Sequence, residues 1–262
     1  MPSTIAAGAR GWRAGLIAAA IVAGASAAAA DENDARALLK AMSDYMGAQQ
    51  ALSFAYDSSL AIITADLQKL EFASSGTVSL ERPDKIRITR TGGFADVEVV
   101  FDGKQLSILG KDIGKYVQVP APGTVEDLIE RLRDRGVPAP GADLLLANVN
   151  DALMEPVIDV KDLGSGVING EECNHLAFRT DSVDWQIWIS MGDDPHPCRY
   201  VVTSKLMALA PEYRVDVRDW KAGDAVVAGD FSFDPGAATP GELADLRGID
   251  EVPDLSGEGD AQ

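Results

Sequence analysis

Four residues with chemistry beyond packing fall close together, as Cys173-x-His175 and His196-x-Cys198. They are both cysteines and both histidines of the 262-residue chain. On an extended strand, residues i and i+2 point the same way, so each pair can present two ligands side by side. Two cysteines and two histidines are a zinc donor set, although the spacing is not that of a zinc finger or knuckle. The same cysteines can form a disulfide, which an oxidising compartment favours. Free thiols are the third option. Between the pairs lie Trp185 and Trp188, two of the four tryptophans. On one regular strand they face opposite sides, and one of them lines whichever side is concave.

Other chemistry is sparse. The chain contains no G-x-S-x-G elbow, no phosphate-binding G-x-x-x-x-G-K-[ST] loop, no H-E-x-x-H and no G-x-G-x-x-G. Asp193-Asp194 precede Pro195 and read as solvated turn acids, and Asp159 and Asp162 as ordinary surface acids. No catalytic residue, metal or cofactor is expected.

The first thirty residues explain the redox argument. Arg10 and Arg13 precede an apolar run from Leu16 to Ala25, and Ala28-Ala29-Ala30 offer a small-residue cleavage site before Asp31. That is the pattern of a secretory signal peptide, with a run too short to span a membrane. A bacterial periplasm is the expected address, with no membrane span after cleavage. The net charge is −18. Phosphate binding needs a basic face, so nucleic acid is not an expected partner. An anionic membrane surface is disfavoured for the same reason.

The elements that position these residues are mainly strands. A helix is expected over Asn33–Gln50, with Leu38, Leu39, Met42, Tyr45 and Met46 on one stripe. Period-two alternation then marks strands through residues 54–81, with Gly76 at a bulge or bend. Four short strands fill residues 85–119, joined by Gly92-Gly93, Asp102-Gly103 and Gly114. Thr124 caps a helix whose Val125, Leu128, Ile129 and Leu132 form an apolar stripe. Short helical turns follow near 142–147 and 151–154. Strands resume over 157–163, 167–180, 184–190, 199–206, 213–220 and 228–233, with a hairpin about Asp181-Ser182. About eleven antiparallel strands are too many for a flat sheet and are expected to curl. The expected division is a signal peptide at 1–30, one domain at 31–235, and an acidic, mostly disordered tail at 236–262.

Several stretches carry a resemblance. RPDKIRI, VVFDGKQLSIL and KYVQVPAP are similar to strands of the periplasmic lipoprotein carriers of the Lol type. SGTVSLERPDKIRI, PGADLLL, NGEECNHLAFRTDSVDWQIWI and PEYRV…DW more closely resemble a bacterial family of predicted periplasmic proteins, domain-of-unknown-function family 2092. The resemblance covers roughly residues 33–235. It implies a mainly β protein with helices (α+β): a curved antiparallel half-barrel with an N-terminal helix and a mid-chain helical lid over an apolar cavity. Relatives of that fold hold acyl chains and use an arginine at the cavity mouth; no arginine of this sequence is assigned to that role. Candidate lining residues are Phe101, Leu106, Ile108, Val125, Leu128, Leu132, Leu145, Trp185 and Trp188. The expected function is non-enzymatic binding of a lipid or acylated protein by a monomer. The alternative is a protein-interaction or envelope-stress module of the same fold.

Overall fold

A computed structural model describes residues 25–246 apart from Phe94, Pro138, Pro140, Val227 and Ala228, with side chains from Glu32 to Asp245. Most of the signal-peptide segment and the end of the acidic tail lie outside these residues. Within the described part, helix α1 runs Ala25–Ala48, so Ala25–Ala30 continue the helix expected from Asn33.

One twelve-stranded sheet makes the body of the protein. Strands β1 (Ala51–Ile63), β2 (Lys69–Glu81), β3 (Lys85–Gly92), β4 (Asp96–Phe101), β5 (Gln105–Gly110) and β6 (Lys115–Pro120) form one meander. Strands β7 (Asp159–Ile168), β8 (Glu171–Arg179), β9 (Val183–Ser190), β10 (Pro197–Ser204) and β11 (Glu212–Ala222) form a second. They join where β11 pairs antiparallel with β1, and with the short β12 (Thr239–Pro240) at one edge the order is β12-β6-β5-β4-β3-β2-β1-β11-β10-β9-β8-β7. The sheet is curved and does not close. Between the meanders come α2 (Val125–Asp134), a 3-10 turn at Ala142–Leu145 and α3 (Val149–Met154).

Local chemistry accounts for the junctions. Thr124 and Asp127 cap α2 reciprocally: the Thr124 hydroxyl accepts from Asp127 N, and the Asp127 carboxylate accepts from Thr124 N. At Asp102-Gly103, Asp102 Oδ1 accepts from the amides of Lys104 and Gln105, and Gly103 takes a φ of 83°. Residues 157–180 hold a second such turn that the alternation does not reveal. Asn169 and Gly170 have φ of 52° and 89°, the two-residue turn that Asn-Gly favours, and they join β7 to β8.

Three expectations are corrected. Gly76 is not a bulge, since β2 pairs without a break on both sides. A Cβ there would lie 1.9 Å from Thr89 O and 2.7 Å from Tyr56 Oη, so glycine is required by close approach. Of the strand expected over 228–233, residues 229–233 are not a strand, and Ala228 lies outside the described residues. Arg87 donates to the carbonyls of Asp230 and Ser232, Lys85 lies over Phe231, and Tyr116 packs on Phe233. The segment therefore straps the outer side of β3–β6. Finally, the first part of the expected tail is placed. Thr239–Pro240 form β12, pairing parallel with Lys115 and Tyr116, and Lys115 Nζ lies 3.0 Å from Asp245 Oδ1.

Candidate functional site

The pairing register sorts each strand residue to one face, because directly paired residues share a side. One row runs Leu80, Ile86, Phe101, Leu106 and Val119 across β2–β6. A matching row on the other half runs Leu176, Ile187, Tyr200 and Val215. These rows, the inner face of α1 and the mid-chain helices form one apolar core. In it are Leu39, Met42 and Met46 of α1, Val125, Leu128 and Ile129 of α2, and Leu144, Leu145 and Leu146 of the following turn.

Eight of the nine lining candidates meet in this core: Phe101, Leu106, Ile108, Val125, Leu128, Leu132, Leu145 and Trp185. Trp188 does not. Three residues along β9 from Trp185, it faces the outer side, stacked on His175 at 3.9 Å between ring centroids and covered by the Arg199 guanidinium. Trp185 stacks on Phe178 of the neighbouring strand, also at 3.9 Å. The expectation of opposite faces holds, and Trp185 is the concave one.

Burial along the concave face is uneven. Near the start of β1, the β2–β3 turn and the β4–β5 turn, Leu52, Leu80, Ile86, Phe101 and Leu106 are buried under α1 and the mid-chain helices. Further along the face, Leu60 of β1, Ile88 of β3, Val99 of β4, Ile108 of β5, Val202 of β10 and Tyr213 of β11 are only half-buried. The helices cover part of the concave face and leave an apolar region around Leu60, Ile88, Val99, Ile108 and Val202 less covered, while Trp185 and Phe178 in the row of Val202 are buried. The loop after α2 borders that region, where a Cβ on Gly141 would touch Tyr213 and Val215.

Two arginines that the sequence did not single out belong to this face and its cover. Arg90 pairs through β3 with Gly76 and Val97 and shares the face of Ile86 and Ile88. Its Nε donates to Ser74 Oγ at 3.1 Å, and Ser74 Oγ lies 2.9 Å from Ser58 Oγ. Tyr56 donates to Thr89 O at 3.0 Å. Burial pushes the Tyr56 phenol up to about 12 and also raises Tyr200 and Tyr213, so all three are neutral hydroxyls at ordinary pH. Arg82 sits at the buried end. It donates to Glu126 Oε1 of α2 and to Leu145 O, each at 3.0 Å. Apolar periodicity carries no signal for a charged residue, so neither arginine stands out in the sequence.

The cysteine–histidine constellation resolves into a staple. Cys173 and Cys198 form a disulfide that joins β8 to β10 across the end of β9. Cys198 stands at a break in the β10–β9 register, between Pro197 and Arg199. The histidines do not join it. His175 bonds to Gln186, and His196 bonds to Ser190 and to the Asp194 carbonyl while stacking on Trp220. Among the described residues, the one group with metal-ligand proximity is Glu171, Cys173 and Cys198, and its sulfurs are consumed in the disulfide. No described helix is long and apolar enough to cross a membrane.

The lipoprotein LppX of Mycobacterium tuberculosis is 13% identical, with 72% of this chain and 96% of that one covered and a TM-score of 0.46. An uncharacterised conserved protein of Thermus thermophilus is 11% identical, with 79% and 98% covered and a TM-score of 0.47. A LolA-superfamily protein of Nitrosomonas europaea is 12% identical, with 72% and 94% covered and a TM-score of 0.35. No functionally curated protein matches in sequence. A family model described as "Predicted periplasmic protein (DUF2092)" matches residues 35–240. The chain belongs to this family of predicted periplasmic proteins.

Proposed function

We propose that this is a non-enzymatic binding protein of the bacterial periplasm that holds a hydrophobic ligand, a lipid or an acylated protein. The ligand lies against the concave face, with α2, the 3-10 turn and α3 as a movable cover. The observation that carries this reading is the half-buried apolar surface of Leu60, Ile88, Val99, Ile108 and Val202 beside a fully packed region. Affinity comes from apolar area removed from water, at about 25 cal/mol per Å². The cover is short and segmented, and Arg82 is a polar tie between it and the sheet. Export follows from the leader, with cleavage before Asp31.

The test is extraction of natively purified protein with organic solvent, followed by mass spectrometry, together with titration of a fluorescent fatty acid. Co-purified lipid and saturable probe binding are expected. Protein that yields no lipid and leaves the probe unbound overturns the reading. Intact mass checks the leader: a chain beginning at Asp31 is expected, and a retained Met1 contradicts export by this route.

A second reading, a protein-interaction module, draws on one specific feature. Leu206, Met207 and Leu209 in the β10–β11 loop are exposed, as is Leu67 in the β1–β2 turn at the same end of the sheet. A periplasmic partner retained by the native protein and lost on replacing these four residues by serine would favour it.

A further inference from the structure

The disulfide has metal-binding neighbours besides its own sulfurs. A carboxylate oxygen of Glu171 and the Sγ atoms of Cys173 and Cys198 all lie within 4.8 Å of one another. His196 borders this group, with Nε2 4.0 Å from Glu171 Oε1. The ring is set as a metal-bound histidine is. Nδ1 lies 2.9 Å from the Asp194 carbonyl, which can only accept, so the proton is assigned to Nδ1 and the lone pair to Nε2. A carbonyl in that position fixes the tautomer and orientation of ligating histidines. Stacking on Trp220, 4.9 Å between centroids and 5° between planes, holds the ring still. The neutral imidazole therefore turns a lone pair towards a carboxylate, two acceptors that a cation between them would satisfy.

In the oxidised protein the sulfurs are bound to each other. Exchange with a dithiol breaks the S–S bond, closes the dithiol to its own disulfide and passes its two protons to Cys173 and Cys198. A divalent ion can then displace both thiol protons and take the two thiolates. The Cα atoms stand 6.9 Å apart, at the wide end of the usual disulfide range of roughly 4.4–6.8 Å, so the sulfurs can part around an ion without the strands closing in.

We infer that reduction converts this staple into a zinc site, with Cys173 Sγ, Cys198 Sγ, a Glu171 oxygen and His196 Nε2 as its four ligands. Two thiolates and an imidazole select zinc over magnesium or calcium. Four protein ligands leave no open position for substrate, so the site is structural. The ion ties β8 to β10 as the disulfide does, and the second meander stays stapled in either redox state. Glu171, with about half of its side chain exposed, is the ligand at the entrance.

The experiment uses untagged protein, oxidised or reduced with a phosphine that is then removed without air. Each form is titrated with zinc against a chromophoric chelator and with cobalt(II), whose charge-transfer absorption reports thiolate ligands. Circular dichroism follows folding. Reduced wild type is expected to take one zinc per chain and to show the thiolate–cobalt bands, and oxidised wild type to take none. Glu171→Gln and His196→Gln, which spare both sulfurs, should each weaken zinc by about 10–100-fold. Folded, reduced protein that leaves zinc with the chelator overturns the inference. So does a zinc affinity shared by the Cys173→Ser/Cys198→Ser variant, or one unchanged in both Glu171→Gln and His196→Gln. If the reduced chain unfolds, one equivalent of zinc is expected to restore its circular dichroism, and failure to restore it overturns the inference as well.

Discussion

Arg82 and Glu126 join the sheet to its helical cover, with Nη1 3.0 Å from Oε1 and only 8% of the Arg82 side chain exposed. The same guanidinium donates to the Leu145 carbonyl, so one side chain holds both α2 and the turn that follows it. Burial lowers the Arg82 pKa, and Glu126 opposes that shift. Replacing Arg82 by alanine frees both segments. The expected cost is about 1–3 kcal/mol from the buried groups left unpaired, less than for a fully buried pair because Glu126 is partly solvated. Denaturant titration measures it. Hydrogen exchange is expected to rise selectively in residues 125–154, and uniform exchange across the sheet would contradict the tie.

Reduction of the Cys173–Cys198 bridge is expected to destabilise the protein by about 3 kcal/mol, from the restored freedom of a 25-residue loop. Paired denaturation curves with and without reductant give the value. Alkylation of both cysteines in native protein without reductant would show that the bridge is absent.

Stability is expected to fall at alkaline pH. Tyr56 has its folded pKa raised by burial from 10.0 to about 12. The stability this supplies is fully present below the unfolded value and is lost as pH rises from 10 through 12, roughly 2–3 kcal/mol at most. Tyr200 and Tyr213 are raised as well and act in the same direction. Phenolate absorbance followed alongside circular dichroism checks this. Tyr56→Phe should flatten part of the alkaline slope, and an unchanged slope would place the lability elsewhere.

Gly76→Ala is expected to cost at least about 3 kcal/mol, since overpacking against backbone leaves no flexible atom to give way. The added carbon would lie 1.9 Å from Thr89 O and 2.8 Å from Tyr56 Cε1. Gly93→Ala serves as the control, because nothing lies within 4 Å of a Cβ there. Similar melting temperatures for the two variants would refute the close approach.

Trp185→Ala and Trp188→Ala separate the two faces. Trp185 is buried within the main core and its loss is expected to cost about 3–5 kcal/mol. Trp188 packs outside that core on His175 and beneath Arg199, so its loss should cost less and leave hydrophobic-probe binding intact. Equal losses of probe binding would contradict the assignment of faces.

Much of the architecture was written in local pattern. The Thr124 cap, the Asp181-Ser182 hairpin and the apolar stripe of α2 depend on neighbours a few residues apart, and each appears where the pattern places it; alternation over 157–180 passes over the Asn169-Gly170 turn that splits it into two strands. The pairing of Cys173 with Cys198 was open between three chemistries, and the fold decided it by setting both at the end of β9 and directing each histidine to other partners. A strand is expected over 228–233, but residues 230–233 lie across the outer face of β3–β6, where Arg87 offers donors to their carbonyls. The roles of Arg82 and Arg90 are non-local in the same way. Their partners lie up to 63 residues away in sequence, and the face on which Arg90 stands follows from register across several strands. Periodicity determines which side chains must leave water. Which of them meet, and which charge ends among them, is decided only when distant strands pair.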